Sequence, residues 1–300
     1  GSIGNSRWNY NLGTNLIAGL ADENYFIANQ LFGGLQYTKF ILKAGWFPNK
    51  TRYKGLSSTN GDIHWSNNIR PLPRIRLQSD EFISFSFFPH WFFMKGMYEE
   101  GFLNDDSRYV QNTHLHHKDV HFGFQLNPRT FLSIGLDHYT QWGGLHPVLG
   151  PLPESWDAYK RYISNGAGSE EFIENDRRSA AGNQLGKFVI TFDKNFSTGK
   201  LQLYYNHPFT DRMDWVNWRD NFFGAFYETK QPKTISGILY EFMCTKYQSG
   251  KKYDDGWRIP PRSGNEAYFV HSTYKSGLSY HNRMFTTPFA IPVMIVDGVN

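Results

Sequence analysis

Along residues 131–142 the chain alternates with a period of two. Leu132, Ile134 and Leu136 share one face, while Ser133, Gly135 and Asp137 share the other. The apolar face turns polar at His138 and Thr140, then ends in Trp142 before Gly143 and Gly144. A period of two marks a β-strand with unlike faces. The pattern recurs at 8–20, 40–46, 119–126, 187–192 and 201–209, and no Asp, Glu, Lys or Arg stands on any of the apolar faces. A cation facing lipid costs roughly 2–4 kcal/mol at the bilayer midplane, so hydrocarbon demands this exclusion; a sandwich core would demand it too. The opposite faces mix Gly, Asn, Gln, Tyr and occasional charges, as a hydrated lumen or a solvated sheet does.

The connections decide more. Asn127-Pro128-Arg129 and Asn195–Gly199 are short, whereas 143–186 and 210–233 are long. Short turns at one end and long loops at the other are the habit of outer-membrane barrels, with the long loops outside the cell. At about 10 residues per strand plus loops the chain holds about 12–14 strands. No domain boundary, repeat or low-complexity stretch interrupts residues 1–300, which read as a single domain. The predicted fold is therefore all-β, an antiparallel transmembrane β-barrel of the outer-membrane type. One short helix, Glu154 to Ser164, is expected in an extracellular loop, with Trp156, Tyr159 and Ile163 on one side. A turn at 127–129 predicts that Lys118 opposes His138 and that Asp119 opposes Asp137. Phe122, Phe124, Ile134 and Leu136 then point outward, and Trp142 falls at or beyond the outer interface, where aromatic belts sit.

Composition narrows the function classes. The net charge of +4 is small and unclustered, so no nucleic-acid partner is expected. Cys244 is the only cysteine, which excludes an intrachain disulfide and a multi-cysteine metal site. No run of about 18 apolar residues exists, so no transmembrane helix is expected. The mean hydropathy of −0.55 is compatible with barrel strands, which alternate. Gly1–Gly4 lacks the features of a signal peptide, and Val293–Gly298 reads as an interrupted strand, so the expectation is a mature, tagged or trimmed chain, incomplete at one or both ends.

Several segments resemble the capsule assembly Wzi family of outer-membrane proteins. They are LHHKDVHFGFQL (115–126) followed by LDHYTQWGG (136–144), NNIRPLPRIRL (67–77), GPLPESWDAYKRYI (150–163) and GNQLGKFVITFD (182–193). The match runs in order over roughly 60–190 and more weakly beyond. The resemblance implies a large β-barrel in the outer membrane of a Gram-negative bacterium that helps hold capsular polysaccharide at the surface. It implies a barrel larger than this chain supplies, and it brings no catalytic residue set.

Candidate chemistry is sparse. His114, His116, His117 and His121 crowd one segment, with His116 and His138 as diagonal neighbours. Two imidazoles at that spacing are a partial metal site, but no cysteine or carboxylate is placed to complete it, so polar interfacial roles are favoured and neither metal nor cofactor is expected. Adjacent carboxylates such as Glu99-Glu100 point to opposite strand faces and cannot jointly flank a glycosidic bond. No nucleophile or nucleotide motif is present, so no enzymatic activity is expected. Arg70, Arg74 and Arg76 alternate around Pro71 and Pro73; they face acidic sugars in a lumen or else fill it with ion pairs. Trp156 and Tyr159, beside Lys160 and Arg161, offer flat rings and cations for a glycan, unless Trp156 only anchors the helix. The expected partners are a capsular or other surface polysaccharide, outer-membrane lipid and other outer-membrane proteins. Two functions follow: non-catalytic polysaccharide retention, or a porin-like channel or scaffold subunit.

Overall fold

The alternating segments become strands of one antiparallel sheet in a computed structural model, which describes residues 7–20, 25–79, 81–106, 108–210, 220–231, 234–246, 268–269 and 271–286. Its strands are β1 (Trp8–Gly19), β2 (Tyr25–Tyr37), β3 (Phe40–Trp46), β4 (Pro73–Ser79), β5 (Phe92–Leu103), β6 (Thr113–Asn127) and β7 (Thr130–Trp142). Two short strands, β8 (Leu145–His146) and β9 (Gly150–Pro151), form a separate ribbon. The sheet resumes with β10 (Asn183–Asn195), β11 (Gly199–Phe209), β12 (Asn221–Thr229) and β13 (Gly237–Cys244). All eleven sheet strands pair with their sequence neighbours in the sheet. A second ribbon joins β14 (Ser279–Tyr280) to β15 (Arg283–Met284).

The register follows the turns. Lys118 pairs with His138 and Asp119 with Asp137, with one irregularity between Gln125 and Asn127. β4 begins at Pro73, where the missing N–H does least harm to a ladder. The outward positions form apolar rows across the strands. One row runs Phe223, Tyr205, Ile190, Ile134, Phe122 and Met94. Ile134 and Phe122 are exposed although apolar, as lipid-facing side chains are in a bare chain.

The concave face is partly filled by the chain itself. Residues 47–72, between β3 and β4, fold into it: Asp62 meets Lys187 of β10 at 2.9 Å, Lys54 meets Glu228 of β12 at 3.0 Å, and Ser57 donates to Glu241 of β13 at 2.7 Å. One short segment reaches these distant strands because the wall curls round it. Trp65 from this segment packs with Leu103, Leu115, Tyr139 and Leu185 of the wall and with Leu278 and Phe285. The edges β1 and β13 do not pair with each other among the described residues.

Three expectations are corrected. The long loop expected at 210–233 contains β12, whose two faces are both apolar: Phe222 and Phe226 are buried against Tyr53, and Phe223 points outward. No alternation could mark such a strand. The expected helix is α1 (Trp156–Ile163), capped by Ser155, whose side chain accepts from the Ala158 N–H at 3.0 Å; a second short helix, α2 (Glu174–Arg178), follows it. The buried face of α1 is Ala158 and Tyr162, not the side bearing Trp156 and Ile163. The C-terminal stretch that reads as an interrupted strand lies outside the described residues.

Candidate functional site

The inner segment and strands β3 to β5 meet at a stack of cations and rings. Lys43, inward on β3, lies with its ammonium 3.7 Å from the Phe32 ring centre and 4.3 Å from that of Phe47. Arg74 also lies over these rings, 4.3 Å from the centre of Phe47 and 5.1 Å from that of Trp65. A cation over an aromatic face gains from the ring quadrupole, most where water is excluded. Arg74 is fixed by Glu99 at 3.2 Å and by the Phe47 carbonyl, and Arg76 pairs with the same Glu99. Both guanidinium groups donate to Asn49 Oδ1, at 3.2 Å and 2.8 Å. Behind them, His117 stacks on Tyr139 with ring centres 3.8 Å apart and meets Asp137 at 2.6 Å. Asp137 in turn holds Lys187 at 2.7 Å.

Two cavities adjoin here. The smaller, about 230 Å³, is lined by Phe47, Trp65, Asn49, Asn67, Arg70 and Arg74. The larger, about 900 Å³, shares Phe47, Asn49 and Trp65 with it and extends past Lys43, Arg76 and Gln78 towards Phe82 and Phe131. Aromatic faces, amides and cations around a wide cleft suit a hydrated, ring-shaped, anionic ligand.

The sequence-derived candidates divide between two places. Arg70 is half-buried on the smaller cavity and takes part in no ion pair among the described contacts, whereas Arg74 is buried and held by Glu99. The other candidates stand on α1, on the outer side of the wall. The Ile163 carbonyl accepts from Lys118, and the Tyr162 carbonyl accepts from Thr140 at 3.3 Å and Gln184 at 3.1 Å. Tyr159 bonds Glu100 and Tyr98, while Trp156 is 71% exposed and stacks on Tyr159 at 5.4 Å. Lys160 and Arg161 both reach Asp157, at 3.1 Å and 3.0 Å, so their charge is partly neutralised in place. His116 bonds Glu100 at 2.6 Å beneath this helix, and no group of three or more potential metal ligands exists among the described residues. Phe47, Asn49 and Trp65 were not legible as site residues: they stand in an irregular segment whose inward course no periodicity announces.

No protein-family model matches the chain, and no curated protein does. Among solved structures it is similar to Wzi, described as an outer-membrane protein involved in group 1 capsule assembly in Escherichia coli and as a carbohydrate-binding β-barrel. The two are 14% identical with a TM-score of 0.48, over 95% of this chain and 56% of that one. This chain thus spans little more than half the length of that structure.

Proposed function

We propose that this chain is an outer-membrane barrel protein of the capsule assembly Wzi type, which retains a surface polysaccharide without chemically altering it. The observation that carries the reading is the cleft beside the buried rings of Phe47 and Trp65, where Lys43 and Arg70 accompany amide groups and the part-exposed rings of Phe32, Phe82 and Phe131. Rings cover the apolar faces of sugars, and the two cations attract uronate or other acidic substituents. The sequence motifs quoted above and the charge-free outward rows support the membrane setting. The inner segment occupies the lumen, which favours binding over free conduction.

Titration calorimetry of the detergent-solubilised protein with an acidic capsular polysaccharide, and with neutral dextran as control, tests it. Arg70→Ala and Lys43→Ala should each weaken acidic-glycan binding about fivefold, close to 1 kcal/mol. Lys160→Ala with Arg161→Ala should leave binding near the native level. The reverse pattern would move the site to α1, and absence of binding by the native chain would sink the reading.

A further inference from the structure

The connection between β4 and β5 is long for the short-turn end of the wall, and from Phe82 to Met94 it carries no Asp, Glu, Lys or Arg. It is ordered by backbone bonds. Ile83 and Met94 exchange N–H···O bonds of 2.7 Å and 2.9 Å, and Gln125 donates its N–H to the Trp91 carbonyl at 2.8 Å. Its rings part to two sides. Phe82 turns inward and meets Phe131 edge-on at 5.0 Å, at the foot of the larger cavity. Phe87 and Phe88 lie 4.6 Å apart, Phe88 lies 4.8 Å from Phe92, and Trp91 stacks on Phe124 at 6.2 Å. These rings continue the outward apolar rows of β5 and β6. Phe87 is 75% exposed.

The wall needs such an extension here. On β6 the outward positions are apolar only from Val120 to Leu126, because Lys118, His116 and His114 above them are polar. That stretch is roughly 20 Å of strand, and a barrel tilt leaves about 15 Å of height. Outer-membrane barrels present an apolar band about 25 Å tall. The shortfall, about 10 Å, falls where the aromatic connection extends the wall, at the end opposite α1. The polar side chains of this segment are Ser84, Ser86 and His90, and it holds no carboxylate, lysine or arginine.

We infer that residues 83–92 form an aromatic wedge seated among the phospholipids of the inner leaflet, completing the apolar height of the wall beside β5 and β6. The inference rests on the membrane reading above. A test uses vesicles of phosphatidylcholine and phosphatidylethanolamine and a Cys244→Ser background. One variant carries Phe87→Cys and another Ile134→Cys, each labelled with an environment-sensitive fluorophore. Dibrominated phospholipid should quench both labels at least threefold more than aqueous iodide does. Quenching by lipid at 134 but by iodide at 87 would overturn the wedge and leave the barrel intact. A label at 87 shielded from both quenchers means a protein covers the rings, which also overturns it. Iodide quenching at both positions would overturn the membrane reading itself and the wedge with it.

Discussion

Lys187 is 2% exposed along its side chain and lies between Asp137 at 2.7 Å and Asp62 at 2.9 Å, so one buried cation holds two strands and the inner segment together. Removing one partner of a buried pair leaves uncompensated charge, which typically costs about 3–5 kcal/mol. Lys187→Met should therefore lower the unfolding free energy of the reconstituted protein in urea by a matching amount, and adding Asp137→Asn should recover part of the loss. A loss below about 1 kcal/mol would mean that water already solvates the acids. Asp176, on α2, behaves differently because it is buried with no cation paired to it among the described residues. Burial raises its carboxyl from the ordinary 3.8 to about 6, although the Gly182 N–H bond at 3.0 Å opposes the shift. The protonated acid is thus the form the fold prefers. Its stabilisation is complete below pH 3.8 and is lost as pH rises through about 6, by about 3 kcal/mol in all. Hydrogen-exchange protection across residues 166–182, corrected for the intrinsic pH dependence of amide exchange, should fall over that window in the native chain and stay flat in Asp176→Asn, whose amide oxygen can still accept from Gly182. Equal pH dependence in both chains would assign the effect to another group.

Among elements, a strand pair shows how closely the inner packing is fitted. Gly224 of β12 lies under the Tyr204 ring of β11, where a methyl group would come within 2.0 Å of the ring. That ring also stacks on Tyr53 at 4.7 Å and donates its hydroxyl to Glu241 at 2.5 Å. Gly224→Ala must push Tyr204 off both partners, and overpacking of this kind typically costs about 1–3 kcal/mol. Denaturant unfolding should show that loss, and Tyr204→Ala in the same chain should relieve the clash; a neutral Gly224→Ala would show that the ring swings aside freely. This pair also marks the limit of reading elements from sequence. β6, β7, β10 and β11 were legible because one face meets apolar surroundings and the other meets polar ones. β12 was not, since Tyr53 and Ile63 of the inner segment bring an apolar environment to its inner face as well. The helix α1 was legible from Pro153 and Gly166, but its buried face was not, because Ala158 and Tyr162 pack against Phe172 and Ala181 of the same loop and against Trp142, partners that no local spacing announces.

At the scale of the whole molecule, the feature that sequence could not announce is the passage of residues 47–72 through the concave side of the sheet. Its contacts are long-range and chemically mixed: Asp62 to β10, Lys54 to β12, and Ser57 and Thr59 to Glu241 on β13. No local pattern encodes a partner nearly two hundred positions away, so Arg70 could be nominated from its alternation with Arg74 while Phe47 and Trp65 beside it could not. Glu241 tests whether this segment is a fixed filling of the lumen. One of its oxygens accepts from Ser57 at 2.7 Å, from Thr59 at 3.2 Å and from Tyr204 at 2.5 Å. Glu241→Ala strips all three donors of a shared acceptor, each worth about 1–3 kcal/mol if left buried and unsatisfied. The loss falls on the attachment of the segment rather than on the backbone ladder, so strand pairing should survive. Protease added to the folded variant should then cut between residues 47 and 72 at least tenfold faster than in the native chain, while the wall strands stay intact. Glu241→Gln retains an acceptor and should fall between the two. If Glu241→Ala is cut no faster, the Lys187 and Glu228 contacts suffice to hold the segment and this anchor is dispensable. If the wall strands are cut along with the segment, the segment supports the curl of the sheet itself.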